Sequence, residues 1–138
     1  MMNDYVFNLT GHRELWDWIA SNPDLTYWEW PGWEQNGGAY KDLINDNFAC
    51  DYAYSISTDD KFVDCRNCPI DHWVDRSAER RYFSYVESNE YKGDADGLCM
   101  YGVYGLWCDA YYARDLEKIV YYAKKIHDLP VKQHVVCE

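Results

Sequence analysis

Cys65-Arg66-Asn67-Cys68 is the stretch that most limits how this chain can fold. Two thiols at this spacing on a tight turn can grip one metal ion, and a closed tetrahedral site needs two further ligands from elsewhere in the chain. Fourteen residues separate Cys50 from Cys65, and thirty separate Cys68 from Cys99. A four-cysteine site of Cys50, Cys65, Cys68 and Cys99 is therefore expected, holding Zn²⁺. Four thiolates leave no open position for water or substrate, so such an ion serves structure, and its binding free energy becomes folding free energy. Cys108, His72 and Cys137 compete for the fourth place. Cys108 opens the last expected helix, His72 lies close to the knuckle in sequence, and Cys137 is one residue from the end. The same Cys-x-x-Cys spacing serves redox sites, but no βαβ pattern surrounds this pair and no amphipathic helix follows it at once. Without a metal these cysteines would be small buried apolar side chains.

The rest of the chain is that of one ordinary domain, residues 1–138. Its 18% aromatic content, with 7 Trp and 14 Tyr, calls for a packed core. MMNDYVFNLTG lacks the basic and then apolar stretches of a secretory signal, and no apolar run is long enough to span a membrane. A cytoplasmic location is expected, where thiols stay reduced and metal binding or burial replaces disulfides. The charge of -11 repels phosphate backbones, which disfavours ordinary nucleic-acid binding. What it favours is solubility or attraction to a basic partner.

A first helix is expected through RELWDWIAS, with Thr10 as N-cap, Glu14 in the first turn and Asn22-Pro23 as the stop. Leu15, Trp18 and Ile19 share one face, and Trp16 broadens it. YWEWPGWEQNGG reads as an ordered loop whose rings pack on the core. A short helix is expected after it, over 39–46. FACDYAYSIS, with Tyr52, Tyr54 and Ile56, is compatible with a short strand or hairpin arm. Another helix is expected over 77–88, a surface loop over 92–97, and a last helix over about 109–128. In that last helix Leu116, Ile119, Val120, Ala123 and Ile126 make an apolar stripe. The tail VKQHVVCE either adds a short edge strand or frays. The fold class is α+β: a mainly helical small single domain, with a short β element beside a structural four-cysteine zinc site.

No catalytic constellation assembles. The sequence has no Gly-x-Ser-x-Gly, no Gly-rich phosphate loop and no His-Glu-x-x-His. DADG lacks the later Glu of a Ca²⁺ loop. Asp59-Asp60 reads as a solvated turn, His12 as a solvated first-turn residue, and His127 as a group placed by the helix dipole. Seven tryptophans are hard to bury completely in a small domain. Trp28, Glu29, Trp30, Trp33 and Glu34 form a stretch that alternates indoles with carboxylates, a composition suited to a basic protein groove.

ELWDWIASNP, WPGWE, FACDYA and CRNCP, followed by a lone Cys, YGLW and AKKIHDLPVK, resemble in their order a group of short proteins encoded by bacteriophages and prophages. The resemblance covers most of the chain and implies Cys50, Cys65, Cys68 and Cys99 as the cluster, leaving Cys108 and Cys137 outside it. It implies a setting, phage biology, rather than a reaction. Combined with size and charge, that setting suggests a non-enzymatic accessory protein acting in the host cytoplasm. Its expected partner is a host protein with a basic groove, most concretely a defence nuclease complex blocked in the anti-CRISPR or anti-restriction manner, with carboxylates standing in for phosphates. The alternatives are a zinc-containing adaptor in phage replication or transcription, and an enzyme with an unrecognised carboxylate site.

Overall fold

A computed structural model describes residues 6–41, 47–56, 67–74, 78–79 and 99–138. Among these the protein is mainly helical. Four α-helices are present: α1 Leu9–Ser21, α2 Phe48–Ile56, α3 Val103–Ala113 and α4 Leu116–Asp128. The described residues form isolated β-bridges and no strand. Most of the helix expected over 77–88, the loop over 92–97, Asp59-Asp60, Cys65 and residues 42–46 lie outside the described residues. Residues 39–41 are not helical, and Tyr40 bridges to Trp33 instead.

α1 begins earlier than its expected cap allows. Asn8, not Thr10, is the N-cap: its side-chain oxygen accepts from Gly11 N–H at 2.9 Å. Thr10 instead donates its hydroxyl to the Glu138 carbonyl at 3.1 Å. Glu14 consequently falls outside the first turn. Gly11, His12, Leu15, Trp16, Ile19 and Ala20 form the buried face, at helical spacing. At the other end Asn22 closes the helix, its amide donating to the Trp18 carbonyl at 3.0 Å.

FACDYA is helical, which corrects the strand reading. Asn47 caps α2 by accepting from Cys50 N–H at 2.8 Å. Phe48, Ala49 and Ala53 turn inward with helical, not alternating, spacing. Phe48 stacks on Trp33 with centroids 6.0 Å apart and ring planes at 8°.

The last helical region is two helices rather than one. Arg114 takes the left-handed conformation at φ 57 and ends α3. Its guanidinium donates to the Asp24 carbonyl at 2.8 Å and lies over the Tyr111 ring. Asp115 then caps α4, accepting from Lys118 N–H at 3.3 Å. The main packing contacts are α1 against α4 and α3 against α4, with a smaller contact between α1 and α2. Trp16 meets Trp107 edge to face at 4.9 Å and 86°. Such a pair adds about 0.5–1.5 kcal/mol to the burial of its rings.

The tail does not fray. Phe7 N–H donates to Val136 O at 2.9 Å, and Glu138 N–H donates to Phe7 O at 3.1 Å. Further back, Asp71 N–H donates to Pro130 O at 2.8 Å and Lys132 N–H to Pro69 O at 2.9 Å. Val103 N–H reaches Trp73 O at 2.8 Å, so residues 67–74 are held between the tail and the start of α3.

On α4, Ile119, Ala123 and Ile126 are buried as expected, but Leu116 is 44% exposed. Leu116 is the first residue of the helix, where the stripe has not yet met its neighbours. Ile119→Ala is therefore expected to cost about 2–5 kcal/mol. Leu116→Ala should stay within about 0.5 kcal/mol. Urea unfolding of the two variants checks both values.

Candidate metal centre

Three of the expected ligands come from three different elements. Cys50 sits in the first turn of α2, where Asn47 holds its backbone N–H. Cys68 lies in the segment pinned between tail and α3, and its sulfur accepts from the Trp73 indole N–H at 3.4 Å. Cys99 starts the turn into α3, its carbonyl accepting from Gly102 N–H at 3.2 Å and Gly105 N–H at 3.0 Å. Cys50, Cys68 and Cys99 line one cavity of about 20 Å³. That is room for a single water-sized occupant. The fourth expected ligand, Cys65, is outside the described residues. Among the described residues no three His, Cys, Asp or Glu side chains form a group able to hold a metal ion.

The competing residues stand elsewhere. Cys108 lies on α3 beside the Tyr104 hydroxyl and does not line the cavity. Burial raises the Tyr104 pKa, with Cys108 adding to the effect, so this phenol stays protonated. Cys137 is exposed in the tail, where partial burial pushes its thiol up. His72 is exposed with φ 60, and its backbone N–H donates to the Asp71 carboxylate at 2.9 Å.

His12 corrects a sequence expectation. Its ring is 2% exposed, not solvated, and it lines the same cavity as the three cysteines. Burial lowers its pKa to about 3, against an opposing pull from the Ile126 carbonyl. The signal was available: residues 12, 15, 16 and 19 share one helical face.

The tryptophan loop is ordered, as its sequence suggested. Trp30 and Trp33 are buried, which removes them from the candidate partner surface. Trp30 stacks on Tyr40 at 5.5 Å and 12°. A side chain at Gly32 would collide with the Trp30 indole, so the Pro-Gly turn needs its glycine. Asn36 donates to the carbonyls of Trp28 at 2.7 Å and Trp30 at 2.9 Å. Glu29 accepts from Thr26 N–H at 2.6 Å, closing a capping box. Trp28, Glu29 and Glu34 remain at the surface.

No helix among the described residues is long and apolar enough to cross a membrane. No family model, curated protein or solved structure matches the chain.

Trp28 is 42% exposed, whereas Trp16, Trp30, Trp33, Trp73 and Trp107 are buried and Trp18 is half-buried. Trp28→Phe should therefore remove most of the indole emission that acrylamide quenches readily. Trp33→Phe should leave that fraction unchanged.

Proposed function

We propose that the chain is a zinc-stapled, non-enzymatic phage accessory protein that binds and inhibits a host macromolecule. Its partner is a defence nuclease with a basic groove, blocked in the anti-CRISPR or anti-restriction manner. The observation that carries the partner reading is the loop from Trp28 to Glu34. One exposed indole stands on a base of buried rings, with Glu29 and Glu34 exposed beside it, in a chain of charge -11. A rigid aromatic anchor loses little entropy on binding, and flanking carboxylates steer it toward positive charge. Carboxylates in the groove take the place of nucleic-acid phosphates.

The zinc reading has separate support. Cys50, Cys68 and Cys99 line one small cavity, an indole N–H points at one of the sulfurs, and in the sequence Cys65 and Cys68 form a Cys-x-x-Cys pair. Four thiolates from these residues would hold Zn²⁺, and the ion would supply folding free energy and no chemistry.

Protein purified without added metal should contain one zinc per chain by elemental analysis. Chelation should lower the melting temperature, Cys68→Ser should reproduce that loss, and Cys137→Ser should not. A metal-free chain that melts as the native protein does would sink the zinc reading.

The partner is identified by affinity capture from the bacterial host with mass spectrometry, and the complex is then titrated. Its affinity should fall steeply as salt rises from about 0.05 to 0.5 M, because exposed charges are screened over a shrinking Debye length. Trp28→Ala should weaken it by about tenfold or more, and Glu34→Lys should also weaken it. Free DNA and RNA should not bind at micromolar concentrations. Nucleic-acid binding there contradicts the proposal. An affinity indifferent to salt and to Glu34→Lys replaces it with the adaptor reading.

A further inference from the structure

Trp28, Tyr112 and Tyr121 are the exposed Trp and Tyr side chains among the described residues, and their electrostatic settings differ. Lys125 lies over the Tyr121 ring at 5.1 Å, and Tyr112 is followed two residues on by Arg114. Trp28 lies within residues 21–40, which hold Asp24, Glu29 and Glu34 and no Lys, Arg or His. All three acidic residues are exposed, and none forms an ion pair among the described residues. Arg114 reaches this loop from α3, but its guanidinium is held by the Asp24 carbonyl and the Tyr111 ring. An aromatic face carries partial negative charge, so an exposed indole among such carboxylates attracts a cation.

The indole is also fixed before anything binds. Trp33 packs against it at 5.6 Å, Tyr27 meets it edge to face at 5.0 Å, and the Asn36 amide donates to the Trp28 carbonyl at 2.7 Å. Little rotamer freedom remains to be lost on binding. Arginine suits the site better than lysine. A guanidinium is planar, stacks on aromatic faces, is more weakly hydrated than an ammonium, and offers carboxylates a fork of N–H donors. Arg114 over Tyr111 shows the same pairing of guanidinium and ring within this fold.

We propose that Trp28 is an arginine-recognition site: a guanidinium of the partner protein stacks on the indole, and Glu29 and Glu34 supply the counter-charge. This rests on the partner reading and narrows it, since the basic groove must then present arginine. The test titrates the full chain with octa-arginine and octa-lysine peptides at about 0.1 M salt, where the two probes carry equal charge and are equally screened. Octa-arginine should bind about 2–5-fold more tightly, the size of one exposed stacked contact. Trp28→Leu should bring the two peptides to equal affinity. Tyr112→Leu should leave the preference as in wild type. Equal affinities in the wild type overturn the proposal, and so does a preference that survives Trp28→Leu. If Trp28→Leu folds poorly, NMR of the wild type decides. Octa-arginine should shift the Trp28 indole N–H resonance more than octa-lysine does, and an unmoved Trp28 signal overturns the proposal. An arginine preference in a chain that captures no host nuclease contradicts the functional reading and leaves this site standing. A captured nuclease with no arginine preference contradicts this site alone.

Discussion

Trp16 joins the two halves of the described structure. Its indole meets Trp107 of α3 at 4.9 Å, and it also lines the cavity shared by Cys50, Cys68 and Cys99. The helix that carries it packs mainly on α4, which in turn packs on α3. The cysteines come from the start of α2, from an irregular segment and from the turn before α3. None of these pieces is long enough to be stable alone, because short helices are marginal without tertiary packing. Their placement therefore depends on the aromatic core beneath them.

Where hydrophobic period and capping agreed, the sequence was readable. α1 shows Leu15 and Ile19 on its buried face and Asn22-Pro23 at its end, but Trp16 is buried there while Trp18, expected on that face, is half-buried. Its start was misplaced because Asn8 and Thr10 are both acceptable caps, and only the tail pairing decides between them by engaging Thr10 with Glu138. α2 was misread because Tyr52, Tyr54 and Ile56 alternate as a strand would, while Phe48, Ala49 and Ala53 follow a helix. In a nine-residue element those two periods are nearly matched. Phe48 stacking on Trp33, a contact between distant parts of the chain, settles the competition. The break after α3 was hidden for another reason. Left-handed helix ends are usually glycine, and here Arg114 occupies one, held by Asp24 and Tyr111. Asp115 was the visible clue, as a good N-cap inside an apparently continuous helix.

The candidate site was legible as a set of spacings and not as an environment. Cysteine intervals suggested which thiols belong together; three of them line one cavity, but among the described residues they form no group able to hold a metal ion. Nothing in the intervals indicated Trp73 or His12. Trp73 is five residues beyond Cys68, and its role depends on the fold of the segment between them. His12 is far from every cysteine in sequence and enters only because α1 turns its Trp16 face toward them. In the tryptophan loop, composition suggested aromatic anchors without saying which rings stay outside. That choice is made by Tyr40 and Phe48, which cover Trp30 and Trp33 and leave Trp28 exposed.

These placements separate two uses of the same residue types. Two of the inward-facing indoles spend their N–H on the fold: Trp73 on the Cys68 sulfur and Trp33 on the Tyr27 carbonyl at 3.3 Å. Glu29 and Glu34 face outward. Glu29 also serves the fold, since its capping of Thr26 fixes the loop that presents Trp28. Burial displaces both His12 and Tyr104 toward their neutral forms, and both line the cavity that Cys50, Cys68 and Cys99 share.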